Sequence, residues 1–273
     1  MYELVDKELV APDIWKIKVR APHIAKAYKP GNFVIVLPHE RGERIPLTVF
    51  DTDEENIHIV FQEVGKSTKL LGKMKVGDQI QDIMGPTGHA FPSQKFGNVV
   101  LIAGGVGAAT AVPLGKHLHA CGNNITIILG ARSKNLVLFE KELQDISEKL
   151  IITTDDGSYG VKGFVTDALK EILSNEVVDL VLAIGPAVMM KAVSDLTRPL
   201  KVKTLVSLNS IMVCGTGMCG ACRVGYKDGT VLTCIEGPEL DGHMVDWNTL
   251  LPRLSMYKEE EAISLSLLDN ESR

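Results

Sequence analysis

From the first residue to about Phe96 the chain sets apolar and polar positions in short runs cut by glycine and proline: IWKIKVRAP, GNFVIVLP, IPLTVFD, IHIVFQEV and GDQIQDIMGP. Alternation at this spacing predicts a small antiparallel barrel. From GNVVLIAGGVG onward the pattern changes. The strands become near-continuous apolar runs, VVLIA, ITIILGAR, KLIITT and LVLAIGP, each followed by a helix-compatible stretch. Runs of that kind are buried on both faces, so the texture predicts a doubly wound parallel sheet. After about Lys203 neither pattern holds and cysteines accumulate. The expected organisation is a β-barrel over residues 1–96, an α/β domain over 97–203, and a small cysteine domain with a C-terminal tail over 204–273.

The stretch CGTGMCGACRVGYKDGTVLTC holds four of the five cysteines, Cys214, Cys219, Cys222 and Cys234, in the spacing C-x4-C-x2-C-x11-C. Disulfides, zinc and an iron–sulfur cluster compete to explain it. The N-terminus lacks a basic-then-apolar leader, and the most apolar stretch is broken by Gly104, Gly105, Gly107 and Pro113. A soluble cytoplasmic protein with reduced thiols is therefore expected, which argues against disulfides. Zinc sites usually carry two C-x2-C pairs well apart in the chain. The spacing here is close to the plant-type pattern for a 2Fe–2S cluster, with three ligands in one loop. Gly215, Gly217 and Gly220 let the backbone curl and turn its amides toward inorganic sulfide. RVGYKDGTVLTC reads as a hairpin through Lys227-Asp228-Gly229, which brings Cys234 back to the loop. The favoured reading is a redox centre, with zinc as the alternative.

The composition narrows the rest. A chain of 273 residues has room for more than one core, and its net charge of −5, without a basic run, gives no support to nucleic-acid or membrane-surface binding. In LIAGGVGAATAVPLG a strand ends at Ala103 and Gly104-Gly105-Val106-Gly107 opens a helix. Small residues there admit a diphosphate to the helix N-terminus, although glycines also serve close packing. AIGPAVMM puts Gly185-Pro186 at the end of a later strand, where an open α/β crevice would receive a nicotinamide.

A barrel, then GG-x-G, then a late GP..M is the layout of the ferredoxin–NADP reductase superfamily. With RIPLT, DGS, IGPAVMM, LNSIMVCGTGMCGACRV and GPELDGHMVD, the chain resembles the small subunits, bearing FAD and 2Fe–2S, of NADH-dependent ferredoxin:NADP oxidoreductases, also called sulfide dehydrogenase small subunits. The electron-transfer subunit of dihydroorotate dehydrogenase B is the sister group.

The resemblance implies an FAD site on the barrel. Thr48 would take the place of the superfamily's serine, with Pro46 and Leu47 against the ring. Arg44 is the neighbour of Ile45, where the superfamily arginine falls. Val60, Phe61 and Gln62 would offer backbone groups, and Ser67 and Thr68 of GKST would face the pyrophosphate or cap a helix. Around a nicotinamide nucleotide stand Gly104, Gly105, Gly107, Ala108 and Ala109 at the diphosphate, and Gly185, Pro186 and Met189 at the nicotinamide. Asp155 and Asp156 are ribose or nicotinamide contacts or an exposed turn. Arg132, followed by Ser133 and Lys134, suits the 2′-phosphate of NADP(H), whereas the family favours NAD(H); NAD(H) is expected. Cys214, Cys219, Cys222 and Cys234 would hold the cluster.

The implied function is electron transfer from NAD(H) through FAD and 2Fe–2S to a larger subunit with a second FAD and 4Fe–4S clusters, which binds NADP(H). That heterodimer would bifurcate electrons among NAD(H), NADP(H) and ferredoxin. No catalytic acid–base pair is expected. The alternatives are the dihydroorotate dehydrogenase B subunit and, from another class, a zinc-binding nucleotide sensor. In the tail, Val245, Trp247, Leu250, Leu251 and Leu254 recur at helical spacing, suited to a partner or to the chain's own core.

Overall fold

The computed structural model describes residues 1–271. Seven antiparallel strands open it: β1 (Tyr2–Ala11), β2 (Ile14–Arg20), β3 (Phe33–Leu37), β4 (Ile45–Thr52), β5 (Asn56–Gln62), β6 (Gln79–Ile80) and β7 (Asp82–Thr87), in the order β6-β1-β2-β5-β4-β3-β7. Strands β6 and β7 are one run broken at Gln81. The first part pairs with β1 and the second with β3, so this run closes the barrel. Period-two burial explains why it rolls up. Ile17 lies opposite Ile59 and Val19 opposite Ile57, all fully buried, while the intervening lysines of β2 face outward. Helices α1 (Pro22–Ala27) and α2 (Lys66–Lys73) plug the ends, with Ile24 and Leu71 in the barrel core.

The second sheet has the order β11-β10-β9-β8-β12-β13-β16. Its strands are β8 (Asn98–Gly104), β9 (Asn124–Ala131), β10 (Lys149–Thr154), β11 (Val161–Lys162), β12 (Leu180–Ile184), β13 (Thr204–Ser207) and β16 (Glu239–Asp241), and all pair in parallel except β13 with β16. Helix α3 (Ala108–Ala120) and the short α4 (Glu140–Gln144) cover one face, and α5 (Val165–Asn175) and α6 (Ala187–Thr197) the other. This two-sided cover accounts for the unbroken apolar run of β8. Val99, Leu101 and Ala103 join the core under α3, whereas Val100 and Ile102 join the core under α5 and α6. Each buried valine, leucine or isoleucine of this set contributes roughly 1.5–3 kcal/mol.

The cysteine region adds the hairpin β14 (Arg223–Tyr226) and β15 (Gly229–Leu232), then α7 (Trp247–Arg253) and α8 (Lys258–Glu271). Two features differ from the pattern expected of the sequence. Strand β13 lies past residue 203 yet pairs with β12, and β16, from the tail, extends the same sheet. We therefore propose the junction after Ser207, with β16 as a strand lent back by the cysteine region. The acidic C-terminal run forms a largely exposed helix beside α2. Of the apolar set in the tail, Val245, Trp247 and Leu250 are buried against α6 and β13, so they complete the chain's own core.

Candidate functional site

Where barrel, parallel sheet and cysteine region meet there is a cleft of about 1050 Å³. Its barrel wall is the first half of β4, Ile45 to Thr48, which is only half-buried, whereas Val49 and Phe50 beyond it turn into cores. Val60, Phe61 and Gln62 of β5 and Thr68 of α2 continue that wall. The opposite wall is the turn from β8 into α3. Gly107 is needed there because a Cβ would stand 2.6 Å from the Ile184 carbonyl oxygen. Gly105 has a φ of +55° with nothing within 4 Å of the Cβ position, so its bare backbone faces open space. The 13-residue α3 has no side-chain cap, and its first amide, that of Ala108, donates back to the Gly105 and Val106 carbonyls of the turn. Thr48 Oγ1 and Thr110 Oγ1 are hydrogen-bonded at 2.8 Å and tie the walls together.

Most residues singled out in the sequence meet in this cleft: Pro46, Leu47, Thr48, Val60, Phe61, Gln62, Thr68, Gly104, Gly105, Gly107, Ala109, Arg132, Asp155, Gly185, Pro186 and Met189 all line it. Four do not. Arg44 is drawn aside by Asp82, to which its Nη2 donates at 2.8 Å. Ser67 is buried, and its hydroxyl accepts from the Glu43 amide at 2.7 Å. Ala108 is fully buried beneath the turn. The Asp156 carboxylate accepts from the amide and hydroxyl of Ser158, which also lower its pKa; it closes a turn. Thr68 lines the cleft, and its Oγ1 accepts from the Val64 and Gly65 amides at the start of α2. Tyr28, Phe33, Thr110, Met212 and Glu239 also line the cleft and went unnoticed in the sequence. Strand pairing brings in Phe33 and Glu239, helix α3 brings in Thr110, and connecting segments bring in Tyr28 and Met212.

The four cysteines form two pairs of unlike character. Cys222 and Cys234 are buried with their sulfurs 3.2 Å apart, packed with Phe33, Ile35 and Met212. Cys214 and Cys219 lie nearer the surface, where the amides of Thr216 and Cys219 donate to Cys214 Sγ and that of Ala221 to Cys219 Sγ, each at 3.4 Å. Hydrogen bonds from the Thr216 side chain and these amides lower the Cys214 pKa to about 6, toward thiolate. Burial, with Cys222 alongside, pushes Cys234 up to about 12. Among the described residues no three His, Cys, Asp or Glu groups gather as around a single ion. Two thiol pairs, the outer one receiving amide donors and the inner one buried, instead fit the donor set of a binuclear iron–sulfur centre. Gly215 and Gly217 have φ of +66° and +78°, and side chains there would strike Met84 and Ile235. The Thr87 hydroxyl at the end of β7 donates to the carbonyls of Gly215 and Cys234 and pins the loop to the barrel.

Comparison with known proteins bears on this geometry. Residues 101–195 match the oxidoreductase NAD-binding domain, and residues 209–246 match the iron–sulfur cluster binding domain of dihydroorotate dehydrogenase B. A Thermotoga maritima protein described as a dihydroorotate dehydrogenase B (NAD(+)) electron transfer subunit homolog is 46% identical over 264 residues, covering 96% of this chain and 93% of that one. The chain belongs to the dihydroorotate dehydrogenase B electron-transfer-subunit family. A further member, the electron transfer subunit of Desulforamulus reducens, is 32% identical over 88% of this chain and 95% of its own. A chain from the structure of the NADH-dependent reduced ferredoxin–NADP oxidoreductase, reported for flavin-based electron bifurcation, superposes with a TM-score of 0.92 at 44% identity over 98% of both chains. Ferredoxin–NADP+ reductase from Plasmodium falciparum, at 17% identity and a TM-score of 0.55, shares the fold. This family member is thus an oxidoreductase electron-transfer subunit of the ferredoxin–NADP reductase fold, with FAD, a nicotinamide nucleotide and an iron–sulfur cluster as cofactors.

Proposed function

We propose that the chain is the small subunit of a heterodimer that moves electrons among NAD(H), NADP(H) and ferredoxin by flavin-based bifurcation. The observation that carries this is the full-length likeness to the chain from the ferredoxin–NADP oxidoreductase structure, including the cysteine loop and the tail beyond it. Bound FAD would exchange two electrons with a nicotinamide and pass them on singly to a 2Fe–2S cluster. The residues of this chain supply positions. Pro46, Leu47 and Thr48 hold the flavin against the barrel, Val60, Phe61 and Gln62 offer it backbone, and Thr68 stands toward its pyrophosphate. Gly104, Gly105, Gly107 and Ala109 admit the nucleotide diphosphate, and Gly185, Pro186 and Met189 receive the nicotinamide. Cys214, Cys219, Cys222 and Cys234 hold the cluster. Phe33 and Met212 line the cleft and also pack on the buried cysteine pair, so they form the wall that electrons cross.

On the far side, Val213 and Met218 are exposed around the exposed Cys219, with Met218 88% accessible. This apolar rim fits docking of a larger subunit, which would carry a second FAD and 4Fe–4S clusters, bind NADP(H) and reach ferredoxin. No helix among the described residues is long and apolar enough to cross a membrane, and we place the complex in the cytoplasm. A second reading, transfer of electrons in dihydroorotate oxidation, is favoured by the names of several relatives. Anaerobic co-purification from the native host separates the two. A bound flavoprotein active with NADP(H) and ferredoxin supports the first reading, and orotate-dependent oxidation of NADH supports the second.

A further inference from the structure

Glu239 is a half-buried carboxyl that lines the cleft at its junction with the cysteine region. It sits on β16 opposite Ser207 of β13, whose hydroxyl donates to Oε1 at 2.8 Å. Gly31 of the barrel leaves room for it: the φ there is +94°, and a Cβ would stand 3.2 Å from Oε2. From the barrel side Tyr28 also faces it. The phenol pKa is raised by burial and by the negative charges of Asp51 and Glu239, and its hydroxyl is spent on the Val49 carbonyl at 3.0 Å. Among the described residues no Lys, Arg or His is paired with Glu239. A carboxylate in such a place is costly unless a proton is available to it.

The proposed reaction leaves such a proton. A dihydronicotinamide gives up two electrons and one proton together: its C4–H bond breaks and a flavin N5–H bond forms. The cluster accepts electrons only. Each of two successive transfers reduces one ferric ion to ferrous, and the electron is then handed to a one-electron acceptor on the partner subunit. When the second has left, the flavin is oxidised, the N5–H bond has broken, and one proton remains in the cleft. Resting on the redox reading above, we infer that Glu239 takes up this proton, forming an O–H bond on its carboxylate, and releases it to solvent before the next cycle.

Burial pushes the Glu239 pKa up to about 7, although the Ser207 hydrogen bond opposes the shift. Near neutrality the group therefore both accepts and releases a proton. The sequence led us to expect no catalytic acid–base pair, and it is the pairing of β13 with β16 that brings this single group to the cleft.

The test uses the full chain, purified anaerobically with its cofactors and mixed with NADH and an excess of a one-electron acceptor dye in a stopped-flow instrument, so that both electrons leave the flavin. Flavin bleaching and cluster reduction are followed separately. In Glu239→Gln the ratio of the cluster-reduction rate to the flavin-bleaching rate should fall about a hundredfold, the usual contribution of a positioned proton acceptor. Glu239→Asp should recover part of it. In the wild-type chain the same ratio should drop as pH falls below neutrality, and redox-difference infrared spectra should show a carboxylic-acid band that Glu239→Gln removes. Bleaching in the variant with an unaltered ratio, or an infrared band that survives the substitution, overturns the role of Glu239 alone. A wild-type chain whose flavin NADH does not bleach overturns the redox reading beneath it. If the glutamine variant does not fold, the wild-type pH profile and infrared band decide the matter.

Discussion

The sulfurs of Cys222 and Cys234 lie 3.2 Å apart inside a cluster with Phe33, Ile35 and Met212, while Cys219, in the same loop, is exposed. The two ends of the cysteine set therefore serve different purposes. The buried pair is part of a core that joins the loop to the barrel, and the outer pair is held mainly by its own backbone amides.

Substitutions should divide accordingly. Cys222→Ser, Cys234→Ser and Cys219→Ser should each lose the iron and the visible absorption of the cluster. The two buried replacements should in addition destabilise the apoprotein by about 1–3 kcal/mol, because a hydroxyl is left without a designed partner among apolar side chains. Cys219→Ser should cost the fold little. Iron analysis and denaturant melts on the three variants check this. A purified wild-type chain with stoichiometric zinc and no iron would contradict the iron–sulfur assignment.

Gly107→Ala should act on the nucleotide side alone. A Cβ at this position meets the Ile184 carbonyl at 2.6 Å, so the turn must move away from β12. Overpacking of this kind typically costs about 1–3 kcal/mol, and the displaced amides should raise KM for NADH. FAD and iron content should remain at wild-type levels. Loss of FAD along with nucleotide binding would show that the turn also supports the barrel.

Nucleotide choice rests on Arg132. It lines the cleft, whereas Lys134 is drawn away, its Nζ 5.3 Å from the centroid of the Tyr159 ring. One cation at the edge, without its neighbour, fits the family's preference, so NADH should exceed NADPH in kcat/KM for dye reduction. Arg132→Ala should lower whatever NADPH use exists by about tenfold, the worth of one charge-assisted hydrogen bond. A wild-type preference for NADPH of tenfold or more would reverse the assignment.

Stability should fall as pH rises from about 5 to about neutrality on account of Glu239. Its pKa lies above the ordinary 4.5, at about 7, so the folded chain holds a proton that the unfolded chain has given up. The favourable contribution is complete below the unfolded value and is lost as pH climbs through the folded one. A shift of this size corresponds to at most about 3 kcal/mol. Melts of the wild-type chain between pH 5 and pH 8 should show the decline, and Glu239→Gln should flatten it. A wild-type curve that rises over that range would mean that the carboxyl is ionised and paired.

The sequence by itself determined the parts of this protein whose physics is local. Short apolar runs cut by glycine and proline mark β2 to β5, longer apolar runs mark β8, β9, β10 and β12, and the glycines at residues 104–107 announce a strand-to-helix turn. The spacing of Cys214, Cys219 and Cys222 announces a metal loop, because three ligands in one loop must be laid down by the local chain. Tertiary structure alone decided the rest. It took Arg44 out of the cleft by offering it Asp82, and it made Ser67 structural through the Glu43 amide. It turned Val245, Trp247 and Leu250 inward and lent β16 back to the parallel sheet. That pairing set Glu239, which no motif marks, between Ser207 and Gly31. The reason is range: a period or a loop spacing is a relation among neighbours in the chain, whereas a salt bridge or a lent strand joins residues 30 or more apart. Such a pairing depends on which surfaces remain unpaired once the local elements have packed.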